Sequence, residues 1–152
     1  MSDLDALIKK SLASATPHTR KIYSKNPMTA EELIDFANSK GLILAATVKP
    51  DRKPHLSPID LNIVGEKFYI GIDEGTARHR NLRQNPSITI MMVEGWKRQA
   101  IVEGEARMVD MKSQAAARVL DAQKKKYGWN TKMLAEVLPE KIFTWKSPPK
   151  SE

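Results

Sequence analysis

A run of cations after a glycine–threonine pair is the part of this sequence whose residue types could bind an anion. Residues 71–86 read GIDEGTARHRNLRQNP, and the basic or potentially basic side chains of this segment are Arg78, His79, Arg80 and Arg83. The preceding Gly75 and Thr76 can leave backbone N–H groups free at the start of a helix, where the helix dipole is also positive. Guanidinium groups match phosphate oxygens as paired donors. The spacing of Thr76 and Arg78 therefore puts a hydroxyl, N–H donors and a guanidinium within reach of one phosphate.

Other polar side chains offer less specific chemistry. Gln99 lies on the polar face of a strand pattern, where its amide could donate one hydrogen bond and accept another, and a solvent-facing role is the alternative. His55 and His79 are typical of surface histidines, and three histidines without cysteine do not match a metal-ligand pattern, so no metal site is predicted. No nucleophile–base–orienter triad and no glycine-rich phosphate loop of a βαβ unit is visible, so catalytic residues stay unassigned.

The composition bounds the class of protein. The 152 residues favour one domain, and 25 Lys and Arg against 18 Asp and Glu give a net charge of +7 that suits anionic ligands or nucleic acid. The aromatic residues are few and are not interleaved with the basic run, which makes a nucleic-acid-binding module the weaker interpretation. Cysteine is absent, which excludes disulfides and fits a cytoplasmic protein. The first residues lack a continuous apolar run, so neither a signal peptide nor a membrane span is expected.

Helical patterns flank the cationic segment on both sides. The predicted helices are residues 3–14 behind a Ser2 cap, residues 29–41 opened by the Thr29–Glu32 capping box, a short basic helix ended by Asn85 and Pro86, and residues 110–127 capped by Asp110 and stopped by Gly128. Residues 15–27 lack periodicity and are predicted to be a linker. The lysines at 124–126 fit compensation of the helix dipole better than a binding site.

The strand patterns are short and separated by tight turns. The predicted strands are residues 42–48, 55–62, 67–72, 87–93, 99–109 and 141–145. The turns between them are too short for βαβ crossovers, so the strands should pair antiparallel. The fold class is therefore α+β and mainly β, with helices around a small closed or partly closed barrel.

The order of these motifs resembles a known family. The segments xPHxSPxxL, FYxGxDEGTxRxRNLxxNP and VEGxARxVD follow one another as they do in the pyridoxamine-phosphate-oxidase-like, flavin-binding split-barrel proteins. The similarity runs from Leu33 to Asp110 and, more weakly, through the last strand. Its most specific parts are residues 80–86 and the Val102–Gly104 tripeptide.

The resemblance implies an architecture and a subunit arrangement. Members of this family are six-stranded antiparallel Greek-key split barrels with peripheral helices, and they form homodimers that hold two equivalent flavin sites in clefts between the subunits. The domain organisation implied for this chain is an N-terminal helix and linker over residues 1–28, a split-barrel flavin-binding domain over residues 29–146, and a flexible tail over residues 147–152.

The resemblance also implies which side chains contact the flavin. The positions that match are Ser57, Ile59, Asp60, Gly71, Ile72, Thr76, Arg78, Trp96 and Gln99. The first three line the flavin from the second strand, and the two residues at 71 and 72 pass the ring and ribityl chain. Thr76 and Arg78 match the residues that hold the phosphate. Gln99 matches a glutamine that reaches the flavin from the other subunit, and Trp96 matches an aromatic residue just upstream of it, for which a core or dimer-interface role is the alternative.

Several positions depart from the family pattern. The true oxidases have an arginine at the position of Ser57, a lysine at that of Asn62 and a second basic residue at that of Ala77. They also end in an Arg-x-His substrate motif, whereas this chain finishes in FTWKSPPKSE. Pyridoxamine phosphate is therefore not the expected substrate.

The function implied is an FMN-binding oxidoreductase that transfers a hydride to or from a small organic substrate. Trp96 and Gln99 favour FMN, but the surplus of cations also suits the acidic tail of the 8-hydroxy-5-deazaflavin coenzyme, so a deazaflavin-dependent reductase is the first alternative. A non-catalytic flavin-binding or storage protein is the second. Haem is the least favoured cofactor, because none of the histidines sits in a recognisable axial-ligand setting.

Overall fold

The computed structural model describes residues 2–148, which form five helices and seven strands. The helices are α1 (Asp3–Ala13), α2 (Pro17–Tyr23), α3 (Ala30–Asn38), α4 (Ala77–Gln84) and α5 (Gln114–Tyr127). The strands are β1 (Leu42–Val48), β2 (Pro54–Pro58), β3 (Asn62–Val64), β4 (Lys67–Ile72), β5 (Ser87–Glu94), β6 (Arg98–Met108) and β7 (Met133–Lys146).

All the strands belong to one antiparallel sheet in the order β2-β1-β5-β6-β7-β4-β3. The sheet has seven strands rather than the expected six. The segment predicted as one strand, residues 55–62, forms two strands, β2 and β3, which lie at opposite ends of this order. Pro58 ends β2, where it has no N–H to donate to a ladder, and the chain then crosses to β3. The prediction of a mainly β, antiparallel fold with peripheral helices is confirmed, and the strand count is wrong by one.

The predicted starts of α1 and α3 are confirmed, because each depends on a capping residue next to the helix. Ser2 caps α1, and Thr29 and Glu32 form the predicted capping box of α3. The last long helix begins later than expected, because Ser113 rather than Asp110 is its N-cap. The Asp110 carboxylate instead accepts a hydrogen bond from the Lys112 backbone N–H at 3.0 Å, in the turn that precedes the helix.

Part of the predicted linker is helical. Thr16 caps α2 and Pro17 occupies its first turn, but no residue of this helix is buried, so the segment carries no apolar periodicity. Arg20 explains why the helix forms, because its guanidinium donates to the carbonyl oxygens of Leu12, Ala13 and Ala15 at 3.0–3.1 Å. These contacts satisfy carbonyl groups at and just beyond the end of α1.

The last strand is 14 residues long rather than the five predicted. It pairs with β6 along one side and with β4 along the other, and its ladder with β6 shifts register between Glu103 and Gly104. A Cβ at Gly104 would lie 2.1 Å from the Leu138 carbonyl oxygen, so this position needs glycine. Pro139 is tolerated at the irregularity, although by sequence it looks like the end of a strand.

The core lies between the sheet and helices α1 and α3. Alternate residues of β1 are buried, and α3 contributes Leu33, Phe36 and Ala37. The buried centre of the sheet contains Ile90, Met92, Ala100, Val102, Ile70, Ile72, Val137 and Ile142. Within residues 2–148, no helix is long and apolar enough to cross a membrane.

The C-terminal end of β7 is held against two loops. The Lys146 backbone N–H donates to the Asn26 carbonyl at 3.0 Å, and the Ser147 N–H donates to the Lys97 carbonyl at 2.8 Å. The predicted flexible tail covers residues 147–152, of which 149–152 lie outside the described residues.

Candidate functional site

The N-terminus of α4 forms one side of a surface cavity. Thr76 is its N-cap: the hydroxyl accepts a hydrogen bond from the His79 N–H at 3.2 Å and donates to the Asp73 carbonyl at 2.8 Å. The remaining N–H groups of a first helical turn have no partner within the helix, so they are available to an anion. The local sequence thus produces the helix start that residues 71–86 predicted.

Arg78 links α4 to the end of β2. Its Nη2 donates to the Ser57 hydroxyl and to the Pro58 carbonyl, both at 2.7 Å. Its Nε is buried and has no hydrogen-bond partner within the described residues. Burial lowers the pKa of Arg78, while the charges of Asp60 and Asp73 oppose that shift. The guanidinium is thus held in place by protein groups on one side and keeps a donor unsatisfied.

A hydrogen-bond network built on Asp60 and Gln123 forms the floor of the cavity. Asp60 Oδ2 accepts from the Gly71 N–H at 2.9 Å and from Gln123 Nε2 at 3.0 Å. The fully buried Gln123 also donates to the Thr131 hydroxyl at 3.1 Å, and its Oε1 accepts from the Thr131 N–H at 3.0 Å. This network joins the segment after β2 to β4, to α5 and to the loop that precedes β7.

Gly71 has no side chain because this network packs directly over it. A Cβ at this position would lie 2.6 Å from Thr131 Cγ2 and 2.7 Å from Gln123 Nε2. Such approaches are closer than van der Waals contact allows, so a larger residue would displace the network. The glycine is therefore required by packing within the chain.

An aromatic pair at the end of α5 also lines the cavity. The rings of Tyr127 and Trp129 are stacked, with centroids 5.1 Å apart and planes 27° apart. The Tyr127 hydroxyl accepts from the Leu61 N–H at 2.9 Å and donates to the Leu61 carbonyl at 3.3 Å. Trp129 remains 45% exposed. Tyr127 is therefore fixed by hydrogen bonds, whereas part of the Trp129 side chain stays exposed to solvent.

The cavity enclosed by these groups has a volume of about 350 Å³, within the range of small-ligand sites. Its lining residues are Pro58, Ile59, Asp60, Gly71, Asp73, Thr76, Arg78, Tyr127, Trp129 and Thr131. Five of the nine residues predicted to contact a flavin are among them. Ser57 does not line the cavity but contacts Arg78, and Ile72 is buried in the core with only 1% of its surface exposed.

Trp96 and Gln99 lie elsewhere, at the hairpin between β5 and β6. Trp96 is 85% exposed, and Gln99 Nε2 is 3.5 Å from the Gly95 carbonyl oxygen. Neither residue lines the cavity of its own chain. Their predicted role requires a second subunit and stays a prediction.

The sequence interpretation missed the aromatic pair and Gln123. The signal available was the Tyr-Gly-Trp tripeptide at the predicted helix stop, where two aromatic side chains flank a left-handed glycine with φ 81°. Nothing in the sequence marks Gln123, which lies on a helix face beside ordinary polar residues. Its role follows only from the packing of α5 against residues 60 and 71.

The three lysines at positions 124–126 make different contacts. Lys124 Nζ donates to the Gly128 carbonyl at 3.1 Å, which fits the expected compensation at the helix end, and Lys125 pairs with Asp121 at 2.9 Å. Lys126 instead extends to the carbonyl oxygens of Ala37 and Leu61, each at 2.7 Å. Burial lowers the pKa of Lys126 to about 8.

The donor set at α4 fits a phosphate group. Thr76 and Arg78 both line the cavity, so the guanidinium charge and the N–H groups at the start of α4 lie beside it. Within residues 2–148, no group of three or more His, Cys, Asp or Glu side chains is arranged to hold a metal ion.

Comparisons with solved structures give the same fold at low identity. A conserved hypothetical protein from Mycobacterium tuberculosis has a TM-score of 0.69 at 19% identity over 86% of this chain and 96% of that chain. The heme storage protein HutZ from Vibrio cholerae has a TM-score of 0.64 at 22% identity over 74% of this chain and 92% of its own. A protein described as an F420 reductase has a TM-score of 0.58 at 18% identity over 71% of this chain and 93% of that chain.

The family comparison covers most of the sequence. No curated protein sequence matches this chain. The family model described as pyridoxamine 5'-phosphate oxidase matches residues 29–148, which include both sides of the cavity and every strand. The resemblance stated from the motifs is therefore confirmed, and this chain belongs to the pyridoxamine 5'-phosphate oxidase family.

Proposed function

We propose that this protein binds FMN in the cavity beside α4 and that it is an oxidoreductase. The observation that carries the proposal is the convergence of Ile59, Asp60, Gly71, Thr76 and Arg78 on one cavity. These residues come from three separate parts of the chain and match five flavin-contact positions of the family motif. If α4 served only solubility, Arg78 would not need its hydrogen bonds to Ser57 and Pro58 at the end of β2.

The phosphate end of the cofactor belongs at Thr76 and Arg78. The first-turn N–H groups of α4 and the guanidinium would hold the phosphate, while the Ser57 hydroxyl and the Pro58 carbonyl hold the guanidinium in position. Asp60 and Asp73 favour the charged form of Arg78. Asp60 is also committed to Gly71 and Gln123, so its main role is to keep the floor of the cavity rigid.

The redox chemistry would come from the cofactor. When bound, the isoalloxazine ring accepts or donates the hydride, and the protein supplies an anchor, hydrogen bonds and exclusion of competing reactions. We propose a small organic substrate, because the cavity of about 350 Å³ must also hold part of the cofactor. The absence of an Arg-x-His motif in the sequence argues against pyridoxamine phosphate.

We also propose a homodimer whose shared face is the outer surface of β1, β2, β5 and β6. Cross-strand pairs place Leu44 opposite Met91 and Met91 opposite Ile101, so these apolar side chains share one face of the sheet. Leu42 and Leu56 on the same face are 58% and 65% exposed. A large exposed apolar face is typical of a subunit interface.

The position of Gln99 supports this interface. Gln99 pairs with Val93 on one side and with Trp145 on the other, so it belongs to the same outer face as Met91. A second copy that covers this face would bring its own Gln99 and the adjacent Trp96 toward the first chain. This is the arrangement that a cofactor site shared between subunits requires.

A deazaflavin-dependent reductase is the second candidate. The exposed Arg80 and Arg83 lie on α4, beyond the proposed phosphate position, and would suit the acidic tail of the deazaflavin coenzyme. The likeness in fold to a protein described as an F420 reductase is compatible with this candidate. Storage of haem is less well supported, because within the described residues no histidine lines the cavity.

The direct test is the absorption spectrum of the purified protein before and after FMN or the deazaflavin coenzyme is added. We expect a flavin spectrum that survives desalting, with one FMN per chain. A protein that takes up the deazaflavin alone would support the second candidate, and a protein that takes up neither would refute both. Turnover with NAD(P)H and artificial acceptors distinguishes an oxidoreductase from a storage protein.

Nucleic acid binding is tested on the same preparation. Polynucleotide binding that falls steeply with salt, in a protein that binds no flavin, would contradict the proposal and support the nucleic-acid interpretation.

A further inference from the structure

Trp129 is a large aromatic side chain that lines the cavity while remaining 45% exposed. One side of its ring system is stacked against Tyr127. An apolar surface of this size costs free energy while it stays in water, and that cost disappears when a ligand covers it. Trp129 is thus a large, exposed hydrophobic side chain that lines the cavity.

We propose that Trp129, supported by Tyr127, stacks on the ring of the bound flavin; this inference rests on the proposed function. The cavity is lined both by the Arg78 guanidinium proposed to hold the phosphate and by the aromatic side chains of Tyr127 and Trp129. A ligand that satisfies both must have an anionic group and a planar ring. The electron-rich indole favours an electron-poor ring such as isoalloxazine, in an offset-stacked arrangement.

Tyr127, on which Trp129 stacks, is held in place before any ligand binds. Tyr127 is fixed by its two hydrogen bonds to the backbone of Leu61. Lys126 Nζ lies 4.9 Å from the centroid of the Tyr127 ring. A wall that is already rigid loses little conformational entropy on binding, so stacking on it contributes more to affinity.

The residue after Trp129 is also fixed. Asn130 Nδ2 donates to the Leu120 carbonyl at 2.8 Å and to Gln123 Oε1 at 3.0 Å. Trp129 therefore lies in sequence between Tyr127 and Asn130, whose side chains are both held by hydrogen bonds. The same Gln123 holds Asp60 and Thr131, so the aromatic side and the floor of the cavity form one connected unit.

The proposed contact of Trp129 with the ring can be measured separately from the proposed contact of Arg78 with the phosphate. Trp129 is uncharged, so it should contribute equally to ligands with and without a phosphate. Arg78 should contribute only to ligands that carry the phosphate. FMN and riboflavin, which share a ring and differ in the phosphate, separate the two contributions.

The experiment measures the dissociation constants of FMN and riboflavin for wild type, Trp129→Leu and Trp129→Phe. We expect Trp129→Leu to weaken both ligands by a similar factor, about tenfold, which is the range of aromatic stacking on a planar base. Trp129→Phe keeps an aromatic face and should stay within about threefold of wild type. Met108→Ala, at a residue that is 46% exposed outside the cavity, is the matched control.

A second readout is the fluorescence of the bound flavin. Emission should be quenched in the wild-type complex by the stacked indole and should recover in Trp129→Leu. Unchanged affinity and unchanged quenching in Trp129→Leu would overturn the inference and leave FMN binding intact. A wild-type protein that binds neither FMN nor riboflavin would overturn the proposed function as well, so the two failures are distinguishable.

Discussion

The Gln123 side chain and the Asp60 carboxylate are 63 positions apart in sequence and are joined by a hydrogen bond of 3.0 Å between Nε2 and Oδ2. This contact connects α5 to the segment between β2 and β3. Gln123 is fully buried and also bonds to residues 130 and 131, so one side chain organises both the floor and the aromatic side of the cavity. Polar networks of this kind rigidify a site when each member is satisfied.

Replacing Gln123 by Leu should destabilise the protein strongly. The substitution leaves the Thr131 N–H without its acceptor and removes one donor from the Asp60 carboxylate, and unsatisfied buried groups cost about 1–3 kcal/mol each. We expect a total loss of about 2–4 kcal/mol in the free energy of unfolding, measured by urea denaturation. Gln114→Leu, at an exposed position of the same helix, is the control and should change stability by less than about 0.5 kcal/mol. Equal effects of the two substitutions would contradict the structural role of Gln123.

Gly71→Ala should also destabilise the fold, for a steric reason. The new Cβ would approach the Thr131 side chain to 2.6 Å, and overpacking of this kind costs about 1–3 kcal/mol. Gly41→Ala is the matched control, because a Cβ there meets nothing within 4 Å. Thermal unfolding of both variants measures the difference. A Gly71→Ala protein as stable as Gly41→Ala would show that the network yields to the added methyl group.

Arg78→Ala should weaken FMN binding by about 1.5–3 kcal/mol, the usual value of a charge-assisted hydrogen bond. Riboflavin, which lacks the phosphate, should bind the variant as well as it binds wild type. Isothermal titration calorimetry with both ligands measures the two effects. Arg83→Ala is the control, since Arg83 is exposed on the same helix and does not line this cavity. Unchanged FMN affinity in Arg78→Ala would remove this residue from the phosphate position.

Lys126 should make stability depend on pH in the alkaline range. Its pKa is lowered from the ordinary 10.5 to about 8 by burial, so between these values the unfolded chain binds more protons than the folded chain. Folding stability therefore gains a contribution as the pH rises from about 8 to about 10.5. The measurement is the free energy of unfolding of wild type minus that of Lys126→Met, at pH 7.5 and at pH 9.5. We expect this difference to shift in favour of wild type at the higher pH; a constant difference would show that Lys126 does not titrate in this window.

Leu56→Glu should disrupt the proposed dimer without unfolding the chain. Leu56 is 65% exposed on the outer face of the sheet, so a charge there is tolerated in a monomer and is costly in an apolar interface. Sedimentation velocity should give a dimer for wild type and a monomer for the variant. Ile22→Glu, at a residue of α2 that is 41% exposed, should remain dimeric. A wild-type monomer that still binds flavin would contradict a site shared between subunits.

Much of the local structure could be predicted because its causes lie within a few residues of one another. The capping box at Thr29 and Glu32 joins residues three positions apart, and the Thr76 cap likewise needs only its own helix start. The alternation of buried and exposed residues in β1 follows directly from its apolar pattern. The order of the motifs within residues 53–110 was sufficient to indicate the family.

Other local elements were missed because their stabilising contacts are not periodic. The helix α2 buries no residue and depends on Arg20, whose carbonyl partners lie up to eight positions away. The strand β7 continues past Pro139 because a register shift opposite Gly104 accommodates the proline. Neither α2 nor the full length of β7 can be predicted from the spacing of apolar residues when proline is taken as the end of an element.

The sequence by itself determined the antiparallel fold class and the helix start at Thr76, because these depend on short-range spacing, and its motif order indicated the family. The role of residues 59, 60 and 71 as flavin contacts follows from that resemblance and stays a prediction. Only the tertiary structure decided that Gln123 bonds to Asp60, that Gly71 is covered by Thr131, and that Trp129 lines the same cavity as Arg78. These contacts join residues dozens of positions apart, and their partners are selected by how α5 packs on the sheet.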